Sequence, residues 1–597
     1  MSNPKLEAKE CQVTSLQALC AALQHPAVSA DPRAVCSLLL TCRSWRTAVQ
    51  QCAAGATHIP LNSKADLPTI LNFAAWLPTH AGTVASIQLE LAGPTAYHQQ
   101  FHTAWIRQCR AAEEALMLGL RAAAVAAESA AGYRSHVPTA VPVQLLAGIA
   151  GTGATAREPP VLRLRSFSCN CLSSPAILQA LPAASLTRLE VSLQTLPLLL
   201  QQPAQGDMCS PRSCDGAAFA RALMSLTGLQ HLSVTEFNDS TCSSTCSDAL
   251  IAAAGQLHRL TQLVVRDVTA SNSLLLLPPQ LQSLELFVTL SSSSSTLQLG
   301  QISALQQLQL HLSGRHSPAA GSSLPPQLAA LTIAAAFDSE ASDVSSLGVP
   351  GLQQLTRLSA ANCSLCNAQQ LQRLSGHPQL QQLLLTYDDS CQAHAAAAAW
   401  QQLPQLCSLS ISRERPSQVL TTQESARVLE CIAAATSLTS LSITEHALMP
   451  CAPICSHLTG LPRLQALELR WMSPPSRSDA LALTVLTGLT RLVLEGAKAV
   501  DDTVAAALAC HLTALRHLVL RNCWLTSPAS LPVIATLRQL QVLDLSGNPW
   551  QEPELSSEDI LLLSPLSQLQ QLELGSEYVL HVREFWEALG VAGRLSK

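Results

Sequence analysis

Along most of this chain leucine recurs in one hexad, Leu-x-x-Leu-x-Leu, with Val, Ile or Ala accepted at the last place. The hexad begins at Leu186, Leu229, Leu260, Leu281, Leu305, Leu328, Leu355, Leu380, Leu406, Leu438, Leu464, Leu489, Leu515, Leu540 and Leu569. From Leu438 onward the starts lie 26, 25, 26, 25 and 29 residues apart. The fourth and sixth positions alternate with polar ones, which is the period of a strand with one apolar face. A single such strand cannot bury that face. Stacked in parallel on its neighbours, it builds a continuous leucine core and completes its backbone hydrogen bonds. Another leucine commonly lies three residues before the hexad, as at Leu226, Leu257, Leu461, Leu486, Leu512 and Leu537. Between strands, Asp501–Leu512 sets Val504, Leu508 and Leu512 at helical spacing, so helices are expected on the convex side of a curved parallel sheet.

The rhythm starts early and in weakened form. Ile59–Pro60–Leu61 and Val84–Ile87–Leu89 read as degenerate strands joined by a helix around Asp66–Leu77, and Leu164–Phe167–Cys169 reads as another strand. The expected organisation is a helical N-terminal module over 1–56 and degenerate first repeats over 57–94. An alanine-rich helical insertion and linker follow over 95–160, then a solenoid over 161–597. Gln201–Ser213 and Ser291–Ser295 read as polar loops. Tyr578–Leu589 places Val579, Phe585, Trp586 and Leu589 where a terminal helix can seal the last layer.

Three units extend to Leu-x-x-Leu-x-Leu-x-x-(Asn/Cys)-x-Leu. They are Leu355–Leu358–Ala360–Cys363–Leu365, Leu515–Leu518–Leu520–Cys523–Leu525, and Leu540–Leu543–Leu545–Asn548 with Trp550 in the last place. Over about Val161 to the C-terminus the chain resembles leucine-rich-repeat proteins, and its repeat lengths resemble the cytosolic, ribonuclease-inhibitor-like variety. The resemblance implies an α/β solenoid that binds a protein partner on the concave face.

Residues 12–52 differ in kind. Leu16, Leu19, Cys20 and Leu23 fall at helical spacing, Asp31-Pro32 is a helix start, and Val35, Leu38, Leu39, Cys42, Trp45 and Val49 continue an apolar stripe. The string from Ala34 to Arg46, ending Cys42-Arg43-Ser44-Trp45-Arg46, resembles the second half of an F-box, although the Leu-Pro opening of that family is absent near Val13–Leu16. The resemblance implies docking on a Skp-type adaptor of a cullin-based ubiquitin ligase, with Leu16, Leu19, Val35, Leu38 and Trp45 at or near the docking surface. The other reading makes these helices a cap on the first repeat, in a scaffold protein of cytoskeleton or axoneme.

Composition narrows the function further. Hydrophobic residues are 48%, yet aromatic residues are 3% and charged residues 13%, which suits many shallow aliphatic layers. A net charge of −5 does not advertise nucleic acid or an anionic membrane as partner. The alanine-rich run Ala111–Ala131 carries Glu113, Glu114, Arg121 and Glu128, too many charges for a bilayer span. Met1–Glu10 is polar with charges of both signs, so no secretory signal is read there, and the 21 cysteines are expected as buried thiols in a reducing compartment. The expected compartment is the cytoplasm, with nucleus or axoneme as alternatives.

Chemistry is sparse. Cys363-x-x-Cys366 and Cys451 with Cys455 have no second ligand pair, and Gly148, Gly151 and Gly153 lack the Lys-Ser/Thr of a phosphate loop. No catalytic residue, metal site or cofactor is expected, so the chain reads as a non-enzyme. The third, fifth and seventh positions of each unit should line the concave face. In the middle repeats these are Ser408, Ser410, Ser412, Ser440, Ser442 and Thr444. In the C-terminal repeats they include Glu468, Arg470, Arg491, Glu495, His517, Arg521 and Asp544, with Trp471 and Trp524 just beyond two strands. Arg and Trp are enriched at interface hot spots, so this end is the expected partner-binding face. The other reading is that its charges are solvated pairs and its tryptophans pack into neighbouring repeats.

Overall fold

A computed structural model describes residues 57–61, 67–91, 99–135, 163–172, 174–193, 216–235, 243–269, 272–290, 296–313, 318–319, 322–335, 347, 349–361, 377–387, 403–413, 422–444, 453–470, 476–550, 555–575 and 578–588. They fall into two compact units, divided near residue 290, with Gln301–Leu305 belonging to the first.

Among the described residues the first unit holds seven strands: β1 (Thr57–Leu61), β2 (Val84–Leu89), β3 (Ser166–Leu172), β4 (Arg188–Leu193), β5 (His231–Thr235), β6 (Gln262–Thr269) and β7 (Ser283–Thr289). Each pairs in parallel with the next. The helix Leu67–His80 joins β1 to β2, and the helix Gln99–Ser135 packs against it. No helix among the described residues is long and apolar enough to cross a membrane.

Among the described residues the second unit holds eleven: β8 (Gln307–Ser313), β9 (Ala330–Ala335), β10 (Arg357–Ala361), β11 (Gln382–Tyr387), β12 (Ser408–Arg413), β13 (Ser440–Ile443), β14 (Ala466–Arg470), β15 (Arg491–Glu495), β16 (His517–Arg521), β17 (Val542–Asp544) and β18 (Gln571–Glu573). These too form one parallel ladder in chain order. The fold is a leucine-rich-repeat solenoid.

Each position of the repeat has a physical task. The first, fourth and sixth leucines are buried, as Leu515, Leu518 and Leu520 are, at 0% exposure. The leucine three residues earlier closes a turn: Leu489 N–H donates to Leu486 O at 3.0 Å, Leu515 to Leu512 at 3.1 Å, and Leu540 to Leu537 at 2.9 Å. At the strand entrance one carbonyl accepts two N–H groups of the next repeat, Thr490 and Arg491 on Gln465 O at 2.8 and 3.0 Å. Where the second position is threonine, its hydroxyl often joins the same carbonyl, as Thr490, Thr439 and Thr261 do.

The exit from the strand uses the Asn/Cys position to satisfy backbone groups where the chain turns. Asn548 is buried, its amide donates to Leu520 O and Leu545 O at 2.7 Å each, and its oxygen accepts from Leu525 N at 3.4 Å. Cys523 is buried with its thiol toward Leu494 O at 3.5 Å. Burial pushes that thiol up to about 12, so it stays neutral and packs as a small hydrophobe. Gly547 sits at φ +71, where a Cβ would also strike the Asn522 side chain.

On the helical side, carboxylates link successive repeats. Asp501 caps the helix Asp502–His511 through Val504 N at 3.0 Å. Asp502 reaches forward and accepts from Thr526 N, Ser527 N and the Thr526 hydroxyl, each at 3.1 Å, and from the Ser530 hydroxyl at 3.2 Å. Asp479 reaches backward to Cys455 N at 3.1 Å and Ser456 N at 2.9 Å, at the start of the helix Ile454–Leu458. The terminal helix Val579–Ala588 buries Phe585 and Trp586, whose rings meet edge to face at 5.1 Å.

Candidate functional site: the charged end of the open sheet face

With every fourth- and sixth-position leucine turned into the core, the third, fifth and seventh positions of β14–β18 form three rows across the other face. The third-position row runs Ala466, Arg491, His517, Val542, Gln571, and the fifth-position row runs Glu468, Val493, Val519, Asp544, Glu573. Arg470, Glu495 and Arg521 are in register in the seventh-position row, with Ser546 following on the next repeat.

The charges here are tied to one another. Arg470 pairs with Glu468 on its own strand and lies 3.8 Å from Glu495 on the next. Arg521 pairs with Asp544, lies 3.6 Å from Glu573, and donates to the Ser546 hydroxyl at 3.1 Å. Glu495 and Asp544 are buried, at 7% and 4% exposure, while the two arginine side chains above them are 42% and 38% exposed. Val493 is buried as well, so the long side chains around it cover an apolar floor.

Two groups register the local field. Burial works against the Arg521 charge, but Asp544, Glu495 and Glu573 outweigh it and raise its pKa above the ordinary value. Burial lowers the His517 pKa, and Arg491 and Arg516 lower it further. His517 thus sits beside two cations near the strand entrances, and Arg521 among three carboxylates near the exits. Trp524, three residues past Arg521, is 48% exposed and hydrogen-bonded through its backbone to Val500 O at 3.0 Å.

Of the residues read from the sequence, Glu468, Arg470, Arg491, Glu495, His517, Arg521 and Asp544 do come together on one face, and Trp524 stands exposed past its exit edge. Trp471 lies outside the described residues, as do Leu16, Leu19, Val35, Leu38 and Trp45. Sequence reasoning missed Glu573 and Ser546, although both obey the same positional rule in the repeats beginning at Leu569 and Leu540.

It also missed a polar network on the first unit. There Arg188 pairs with Glu190, His231 lies 3.5 Å from Glu190 and 2.8 Å from the Gln262 amide oxygen, and Arg266 stacks over Phe287 at 4.7 Å. These are again third-, fifth- and seventh-position residues, of the repeats beginning at Leu186, Leu229, Leu260 and Leu281. The rule could have found them.

Among the described residues no three His, Cys, Asp or Glu side chains converge as metal ligands. Cys455 is buried beside Asp479, and burial together with that carboxylate holds its thiol protonated. Cys363, Cys366 and Cys451 lie outside the described residues.

No family model matches the chain, and no curated protein matches it. Among solved structures it is similar to an internalin from Listeria monocytogenes, at 17% identity and a TM-score of 0.31, over 59% of this chain and 82% of that one. A likeness that shallow carries no argument about function, and the fold stands on the parallel ladder itself.

Proposed function

We propose that this chain is a non-catalytic recognition protein that binds a protein partner on the open face of its sheet, with the β14–β18 end as the principal contact. The observation that carries this reading is the separation of tasks within each strand. The leucines are spent on the core, while the intervening positions hold a contiguous charged surface with two half-exposed arginines and an exposed tryptophan past its edge. Pairing fixes the arginines in place, which lowers the entropy lost when a partner lands on them.

The finer version makes the protein a substrate receptor of a cullin-type ubiquitin ligase in the cytoplasm. The F-box-like string Ala34–Arg46 would then hold a Skp-type adaptor, and the repeats would hold the substrate. The test is binding of a purified Skp-type adaptor to the full chain and to a Leu38→Ala, Trp45→Ala variant, both first shown to unfold cooperatively. Micromolar or tighter binding that the folded variant loses supports the receptor reading. No binding by the folded wild type removes it and leaves a scaffold of cytoskeleton or axoneme type, with the N-terminal helices as a cap.

A further inference from the structure

Earlier in the second unit, the open face of β8–β12 carries a different chemistry. The third- and fifth-position rows that cross it are glutamine, serine, threonine and alanine, with two exceptions, Arg357 in the third and Leu384 in the fifth. Both exceptions line an open cavity of about 300 Å³ on this face. Arg357 is exposed, and its guanidinium has neither an ion pair nor a hydrogen bond among the described residues. Arg470 and Arg521, by contrast, are already paired with carboxylates.

The surroundings of Arg357 leave its charge uncompensated. The described residues between 296 and 413 include no Asp or Glu, and Arg413, the last residue of β12, adds a second positive charge. The sequence also holds Arg315, Arg373, Asp338, Glu340, Asp343, Asp388 and Asp389 in this stretch, all outside the described residues. Those five acids follow the exits of β9 and β11. Arg357 instead opens β10, in register with Ala330 and five residues, roughly 16 Å, before the end of β9. A carboxylate arriving at this guanidinium gains a charge-assisted pair without displacing another.

Leu384 supplies a second, apolar contact. It is 41% exposed and stands between Ser359 and Ser410, whose short side chains leave it uncovered. Arg357 is in register with Gln382, so Leu384 lies one strand over and two residues along, roughly 8 Å away between Cα atoms. An extended segment presents residues two apart on one face at about 7 Å. The spacing of the two contacts matches that repeat.

We infer that the open face of β8–β12 takes an extended protein segment bearing an acidic side chain, seated on Arg357, and an aliphatic side chain two residues away, seated on Leu384. This seat is separate from the charged end at β14–β18 and adds a partner class to the recognition reading.

The experiment is retention of the full chain on immobilised, C-terminally amidated peptide libraries with a fixed Glu-x-Leu core and randomised small polar flanks. Matched libraries carry Gln-x-Leu, Lys-x-Leu or Glu-x-Ser, and a further one has leucine and a free C-terminal carboxylate as its sole acid. Arg357→Gln, Arg357→Glu and Leu384→Ser fall on exposed side chains, and thermal unfolding checks that each variant keeps the fold. The expected result is a preference of about fivefold for Glu-x-Leu over Gln-x-Leu at low salt. Arg357→Gln should abolish that preference, Arg357→Glu should turn it toward Lys-x-Leu, and Leu384→Ser should remove the advantage over Glu-x-Ser. Equal retention of Glu-x-Leu and Gln-x-Leu overturns the inference, as does a preference that survives Arg357→Gln or one confined to the free C-terminal carboxylate. None of these three outcomes touches recognition by the β14–β18 end, which Arg521→Gln tests separately.

Discussion

At the scale of single residues, two side chains show what one repeat position demands. Asn548 offers an amide to two carbonyls and an oxygen to one N–H, all inside the protein. Replacing it by alanine strands those groups, and Asn548→Ala should cost about 1–3 kcal/mol in urea unfolding. His377 is the opposite case. It stands three residues before the hexad at Leu380, in the place Leu352 and Leu403 fill in the repeats on either side. It is 1% exposed, and neither ring nitrogen makes a well-formed hydrogen bond, although the Leu352 backbone lies close enough to favour the charged ring. The turn it closes, Leu380 N to His377 O, is 3.5 Å, against 3.2 Å at Leu355 and Leu406. Burial lowers its pKa from the ordinary 6.5, although a Leu352 backbone group works the other way. The unfolded chain therefore binds a proton that the folded chain refuses. The His377 contribution is fully present above pH 6.5 and is lost as pH falls through the lower folded value. His377→Leu should raise the melting temperature, and the gain should grow from pH 7 toward pH 5. A gain independent of pH would mean the imidazole is solvated.

At the scale of elements, the helical side of the C-terminal repeats is joined by carboxylates as well as by packing. The helix start at Asp501 was legible, because Asp precedes a run with Val504, Leu508 and Leu512 at helical spacing, and all three are fully buried. The next residue was not legible in the same way. Asp502 looks like an ordinary acidic first-turn residue, and its four hydrogen bonds go to the following repeat, which only the stacking brings within reach. Asp502→Ala should cost about 1–2 kcal/mol. The loss should appear locally, as faster amide hydrogen exchange at Thr526 and Ser527 with the strand amides of β16 little changed.

At the scale of the whole molecule, each repeat is held by its neighbours, so a core leucine matters according to how many neighbours its strand has. Leu518 lies in β16, between β15 and β17, whereas Leu572 lies in β18, the last strand among the described residues. Leu518→Ala should cost about 2–5 kcal/mol and Leu572→Ala clearly less, as measured by denaturant unfolding of the full chain. The sequence by itself determined the parallel ladder, its strand positions and the identity of its outward rows. A leucine hexad has a buried face only when stacked, and the period says which side chains face out. The tertiary structure decided what those outward residues do. Arg470 with Glu495 and Arg521 with Glu573 are each one repeat or more apart in sequence, and register alone makes them neighbours. The same registration hides Asp544 and Glu495 and leaves Arg470, Arg521 and Glu573 partly in the open.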